Sequence, residues 1–112
     1  NIAKNNDVAV IGIRSLADGA IVDNLNRKLN EDDKVNLDHK RAKDIRQLLN
    51  RDDLSLSQIG ILFCLNSKKI SSVIPGIKTI QELNEIANIR SLNNLEDEDF
   101  GIIDSWYENF LL

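Results

Sequence analysis

Val8-Ala9-Val10-Ile11-Gly12-Ile13, followed at once by Arg14-Ser15-Leu16-Ala17-Asp18-Gly19-Ala20, is the stretch on which the fold turns. A short unbroken run of mostly β-branched residues reads as a strand buried on both faces, the kind found in parallel sheets. The small residues after it mark a loop. A second run of the same kind, Ile70-Ser71-Ser72-Val73-Ile74, is stopped by Pro75-Gly76. Helical patterns lie between the two, so the strands are expected to pair in parallel through a right-handed crossover. Two parallel strands do not make a fold by themselves, because parallel sheets are covered on both faces and contain more strands.

Working outward, residues 23–36 are polar and turn-rich (Asp23, Asn24, Asn26, Asn30, Glu31, Asp32, Asp33, Asn36) and read as a connection. A helix follows from about Leu37 to Asn50, with Ile45, Leu48 and Leu49 at core-facing spacing and Ala42 behind them. Its other face carries Lys40, Arg41, Lys43, Asp44 and Arg46, a mixed-charge set that reads as a solvated face and not a basic binding patch. His39 stands between Asp38 and Lys40 in the same first turn; without partners at metal or triad spacing it reads as an exposed surface residue.

Ser55 and Gln58 form a capping box before Leu56, Ile59, Ile61, Leu62, Phe63, Cys64 and Leu65, a helix apolar enough to need cover on several sides. Cys64 inside that run reads as a small core residue, not a nucleophile. A second capping box pairs Thr79 with Glu82 and opens a helix whose stripe Ile80, Leu83, Ile86 and Ala87 is expected to be buried. The last helix starts near Asn94, with Glu96, Asp97, Glu98 and Asp99 complementing its positive end. Phe100, Ile103, Trp106, Tyr107, Phe110 and Leu111 form its apolar side, a docking surface and not a base-stacking platform.

Composition sets the outer limits. The chain has 112 residues and formal net charge −4, with 42% apolar and 4% aromatic residues, one Cys, one Pro and no Met. Length allows one domain. The apolar fraction is too high for disorder, and one Cys makes neither an internal disulfide nor a Cys-rich zinc site, so no metal is expected. No apolar run approaches the ~18 residues of a membrane span, and the acidic balance argues against nucleic acid as a partner. A cytoplasmic setting is expected. The start at Asn1 without Met, together with so few strands, leads to the expectation that the chain is a piece of something longer.

These residues resemble a family. Val8 to Ala20, with Arg14, Leu16-Ala17 and Gly19-Ala20 directly after a strand, is similar to the seventh strand and following loop of aldo/keto reductases. Ser55-Leu56-Ser57-Gln58-Ile59-Gly60-Ile61-Leu62-Phe63-Cys64-Leu65, then Ser71-Ser72-Val73-Ile74-Pro75-Gly76, then Gln81-Glu82-Leu83, resembles that family's penultimate barrel helix, eighth strand and last barrel helix. The resemblance implies an α/β fold: a fragment of a (β/α)8 TIM barrel, with two parallel strands and about four helices. Residues 1–112 would be the carboxyl-terminal segment of a barrel of typically ~250 residues.

The function so implied is the cofactor-binding part of an NAD(P)H-dependent reductase of aldehydes and ketones. Its partners would be a nucleotide cofactor and a small carbonyl substrate. Arg14, Ser15 and Leu16 would line the pyrophosphate side, Gly76, Lys78 and Thr79 would meet the adenosine end, and Gly19, Glu82 and Glu85 would complete the cofactor-binding set. Lys78 would offer a cation to a 2′-phosphate, and the Thr79 helix start free N–H donors. Departures from the family pattern are the lack of Pro in Arg14-Ser15-Leu16, Glu82 where Gln or Arg is common, and Ile86 where Asn is common. An acid at position 82 repels a 2′-phosphate and suits a free ribose hydroxyl, and it also caps the helix. NADPH is therefore implied with NADH as the alternative.

The family's catalytic Asp, Tyr, Lys and His lie on earlier strands, and neither Tyr107 nor His39 matches them, so the chain is expected to carry no catalytic residue and to be inactive alone. Unpaired strand edges lead to the expectation of self-association, or of binding to the rest of a barrel. The alternative reading is a stand-alone helical protein-interaction module with no enzymatic activity.

Overall fold

The computed structural model describes residues 2–25 and 27–111. Asn1, Asn26 of the polar connection, Leu112 and the Leu111 side chain of the last helix lie outside the described residues. The order is α1 (Ile2–Asn5), β1 (Ile11–Ile13), a 3-10 turn (Ala17–Gly19), α2 (Lys34–Leu49), α3 (Leu56–Leu65), β2 (Ser72–Ile74), α4 (Ile80–Ala87), a second 3-10 turn (Ile89–Ser91) and α5 (Asp97–Leu111). β1 and β2 are hydrogen-bonded neighbours in parallel, with Ile11 opposite Ser72, Gly12 opposite Val73 and Ile13 opposite Ile74. Backbone pairing begins just before them, where the Ser71 N–H donates to the Val10 carbonyl at 2.8 Å.

The strands correct the expectation of two buried faces. In both, a half-buried central residue stands between two exposed ones, and Ile13 is 69% exposed. Alternation explains the pattern: successive side chains leave a strand on opposite faces. α3 packs against β2. Gly12 and Val73 are half-buried, while Ile11, Ile13 and Ile74 are exposed.

α2 begins three residues before the expected position, because the Asp33 carboxylate accepts the Val35 N–H at 2.8 Å and caps the helix there. It ends at Asn50, which takes the left-handed conformation that closes many helices. Both capping boxes form. Ser55 Oγ accepts the Gln58 N–H (3.2 Å) while Gln58 Oε1 accepts the Ser55 N–H (2.9 Å). Thr79 Oγ1 accepts the Glu82 N–H (3.1 Å) while Glu82 Oε2 accepts the Thr79 N–H (3.2 Å).

The core lies among the helices. Leu49, Leu54, Ile59, Leu62 and Leu95 are buried together, with Ile45, Phe63, Ile89, Leu92, Phe100, Ile102 and Ile103 packed against them. Phe63 and Phe100 meet with ring centroids 5.3 Å apart. Leu48, expected inside, is exposed. α5 docks on α2, where Trp106 stacks on Phe110 at 5.3 Å and Arg41 lies over the Phe110 ring at 4.4 Å. Tyr107 and Phe110 nevertheless stay largely exposed. Cys64 is half-buried, and burial pushes its thiol pKa up.

Arg51, between α2 and α3, ties this core to α5. Its guanidinium donates to both Asp53 oxygens (2.8 and 2.9 Å), to Asp99 Oδ2 (2.7 Å) and to the Asn94 carbonyl (3.1 Å). Asp99 is buried, and also accepts the Glu96 N–H at 2.9 Å. The hydrogen bonds from Arg51 hold the Asp53 carboxyl well below the usual carboxylate range.

α4 overturns a further expectation. None of its residues is buried, Ile80 is 78% exposed and Leu83 is exposed as well. Its link to α3 is polar, with Ser57 Oγ donating to Glu85 Oε1 (2.8 Å) and Gln58 Nε2 donating to the Glu85 carbonyl (2.9 Å). Of its apolar stripe, Ile86 is half-buried, while Ile80 and Leu83 remain exposed.

Candidate functional site

Register decides where the two loops go. Because Ile13 pairs with Ile74 in a parallel ladder, Arg14 and Pro75 are the first residues past the same end of the sheet. Neighbouring strands lie about 4.8 Å apart, so the β1 loop and the β2 loop leave side by side.

The β1 loop is wound tightly. Arg14 (φ 57°), Ala17 (φ 48°), Asp18 (φ 57°) and Gly19 (φ 88°) all take left-handed backbone, which L side chains seldom adopt. Gly19 is there for its φ and not for space, since a Cβ added to it would touch nothing within 4 Å. The Arg14 guanidinium is ion-paired with the Asp18 carboxylate, and Arg27 donates to the Asp18 carbonyl at 3.0 Å. Ser15 is only 9% exposed, and its Oγ is a buried side-chain polar atom without a hydrogen-bond partner among the described residues. Leu16 is half-buried.

The loop has two supports that its own sequence does not announce. Gly60 of α3 comes so close that a Cβ there would lie 3.2 Å from the Ser15 carbonyl oxygen and 3.1 Å from the Ile21 side chain. A glycine inside a helix after a capping box was the available signal. The second support is His39. It is not the exposed residue expected from its charged neighbours: it is 7% exposed, and its Nδ1 lies 2.9 Å from the Ala20 carbonyl oxygen. α2 starts earlier than expected, so His39 falls in its second turn, on the side facing the 3-10 turn after β1.

In the β2 loop, Gly76 and Lys78 are exposed, and a Cβ at Gly76 would meet nothing within 4 Å. The helix start at Thr79 is more occupied than expected. Glu82 Oε2 accepts the N–H of Lys78 (2.6 Å) as well as that of Thr79. Ile80 and Gln81 are the first two residues of α4, where a helix leaves its N–H groups without an internal partner. Glu85 stands one turn further along, with its carboxylate on Ser57. The structure thus gathers Arg14, Ser15, Leu16 and Gly19 in one loop and Gly76, Lys78 and Thr79 in the adjacent one, with Glu82 in the first turn of α4, while Glu85 faces α3. Among the described residues no three His, Cys, Asp or Glu side chains cluster so as to hold a metal ion, and no helix is long and apolar enough to cross a membrane.

No curated protein matches the sequence. A solved structure, that of the aldo-keto reductase AKR11C1 from Bacillus halodurans in its apo form, resembles the fold with a TM-score of 0.68 at 21% sequence identity. The likeness covers 94% of this chain and 36% of that one, so the chain spans about a third of that protein's length. The model of the aldo/keto reductase family matches residues 1–108. A match reaching from α1 into the last turn of α5, over a parallel strand pair and helices that overlay part of a (β/α)8 barrel, makes the chain a member of the aldo/keto reductase family.

Proposed function

We propose that residues 1–112 act as the carboxyl-terminal, cofactor-binding segment of an NAD(P)H-dependent reductase of small aldehydes and ketones. One observation carries the reading: the buried, unpartnered Ser15 hydroxyl sits on a left-handed loop beside a second loop that leads into a helix amino end. A buried hydroxyl without a partner costs free energy, so a ligand oxygen that pairs with it is favoured. The donor set suits a phosphate: the Ser15 hydroxyl, the Lys78 ammonium and the Ile80 and Gln81 N–H groups. The space beside Gly19 and Gly76 is open to a bulky ligand. When bound, a nicotinamide cofactor supplies the hydride for carbonyl reduction.

In this proposal Arg14, Ser15, Leu16 and Gly19 hold the pyrophosphate, and Gly76, Lys78 and Thr79 the adenosine end. Arg14 bonds Asp18 through one nitrogen, which leaves its other guanidinium N–H groups for a phosphate. Glu82 spends its carboxylate on the two N–H groups before the helix, and its charge weighs against a 2′-phosphate. NADPH is the cofactor proposed, and NADH the competitor against which it is to be compared. Catalytic acid and base come from outside these residues, in a cytoplasmic setting. The open edges of β1 and β2 pair with the rest of a barrel or with a second copy. Sedimentation at micromolar concentration is expected to show association, and a stable monomer would contradict that part.

Titration of the 112-residue chain with NADPH tests the binding claim. Weak, salt-sensitive binding is expected, reduced about tenfold in Lys78→Ala if one charge-assisted contact worth roughly 1.5 kcal/mol is lost. The same preparation should oxidise no NADPH on addition of simple aldehydes. Binding that is unaffected by both salt and Lys78→Ala would sink the proposal.

A further inference from the structure

We infer that His39 is a positioning residue for the β1 loop, holding Arg14 to Ala20 in the shape that presents Ser15. The inference rests on the reading of that loop as half of a nucleotide pocket, but its structural basis is separate. Three non-glycine residues of the loop, Arg14, Ala17 and Asp18, are left-handed. Such backbone persists only where the surroundings over-determine it. The loop's own bonds are short-range: Ala17 N–H to the Arg14 carbonyl (2.9 Å), Gly19 N–H to Leu16 (2.9 Å) and Ala20 N–H to Ala17 (3.1 Å). These close the turns without fixing the loop to the body of the protein. Among the described residues, the contact of His39 Nδ1 with the Ala20 carbonyl at 2.9 Å is the one hydrogen bond that reaches residues 14–20 from a helix.

Both ends of this contact are buried. Ala20 is fully buried and His39 nearly so, with Ala42 buried one turn along the same face of α2. A carbonyl oxygen only accepts, so the proton of the pair sits on His39 Nδ1. Water cannot replace that donor without entering a closed contact. His39 touches no ligand in this account. It acts through Ala20 on the six residues before it, and α2 thereby sets where the Ser15 hydroxyl lies.

Side-chain geometry gives a sharp test. An Asn amide nitrogen falls near the place of an imidazole Nδ1, whereas a Gln amide nitrogen falls near that of Nε2. Amide spectra of the ligand-free 112-residue chain are therefore recorded for His39→Asn, His39→Gln and His39→Leu. His39→Asn should keep the resonances of residues 14–20 close to their original positions. His39→Gln and His39→Leu should move them, while those of Leu54 and Leu62 in the core stay. NADPH affinity should remain within about twofold in His39→Asn and fall about tenfold in His39→Gln.

Unmoved resonances for residues 14–20 in both His39→Gln and His39→Leu would overturn the inference. So would equal loss of affinity in His39→Asn and His39→Gln. If His39→Leu does not fold, imidazole nitrogen shifts of the unaltered chain decide instead, with a proton on Nδ1 expected and a proton on Nε2 alone contradicting it. Should the unaltered chain take up no NADPH, the pocket reading fails, and the loop resonances still decide the role of His39.

Discussion

The helical half and the strand half of this chain both carry apolar stripes, yet they end differently. Around Leu49, Leu54, Ile59, Leu62 and Leu95, three helices bury their stripes on one another, and Arg51 joins the segments through Asp53 and Asp99. Around β1, β2 and α4, Ile11, Ile13, Ile74, Ile80 and Leu83 are left exposed. The difference teaches that an apolar stripe states what an element can bury and not what is present to bury it against. The candidate cofactor loops belong to the second half, so the site stands on the less covered side of the fold.

Paired truncations give the largest contrast between the halves. Leu54→Ala, at a side chain 2% exposed, should cost about 2–5 kcal/mol in urea unfolding, and Ile80→Ala less than about 0.5 kcal/mol. Comparable losses at the two positions would mean that α4 is covered after all and would erase the comparison.

Acid tests the ionic side of the helical half. Arg51 depresses the Asp53 pKa in the folded chain. A carboxyl with a folded value below its unfolded one, about 3.9, contributes stability that is fully present above that unfolded value. The contribution is lost as pH falls from there toward the folded value. Stability should thus decline below about pH 4, and the decline should be shallower in Asp53→Asn. An identical acid limb in the variant would remove Arg51 and Asp53 from the account of the core.

The smallest stability effect is expected in the strand half, and it separates site from scaffold. Ser15→Ala removes a buried hydroxyl that has no partner, so unfolding free energy should stay level or rise slightly while NADPH affinity falls. A drop in stability with unchanged affinity would make Ser15 a structural residue.

Much of the fold was legible because its signals are local. Ser55 with Gln58 and Thr79 with Glu82 are three residues apart, and both boxes form as read. The parallel pairing of two β-branched runs followed from the helices between them. What escaped depends on distance. Arg51 and Asp99 are 48 residues apart, and nothing in either neighbourhood announces the pair. His39 looked exposed among Asp38 and Lys40, yet the Asp33 cap starts α2 early and turns it onto Ala20. The stripe of α4 was read correctly as apolar and wrongly as buried. At the candidate site, the sequence placed a loop directly after each strand, while the left-handed winding at Arg14, Ala17 and Asp18 and the close approach of Gly60 emerge only in the folded chain.

A residue-by-residue map of amide shifts on adding NADPH tests the central claim most directly. The account predicts changes confined to residues 14–19 and 76–82, where the two loops leave the same end of the sheet, with Leu49, Leu54, Leu62 and Leu95 silent. Shifts that gather in the helical core, or that avoid both loops, would contradict it.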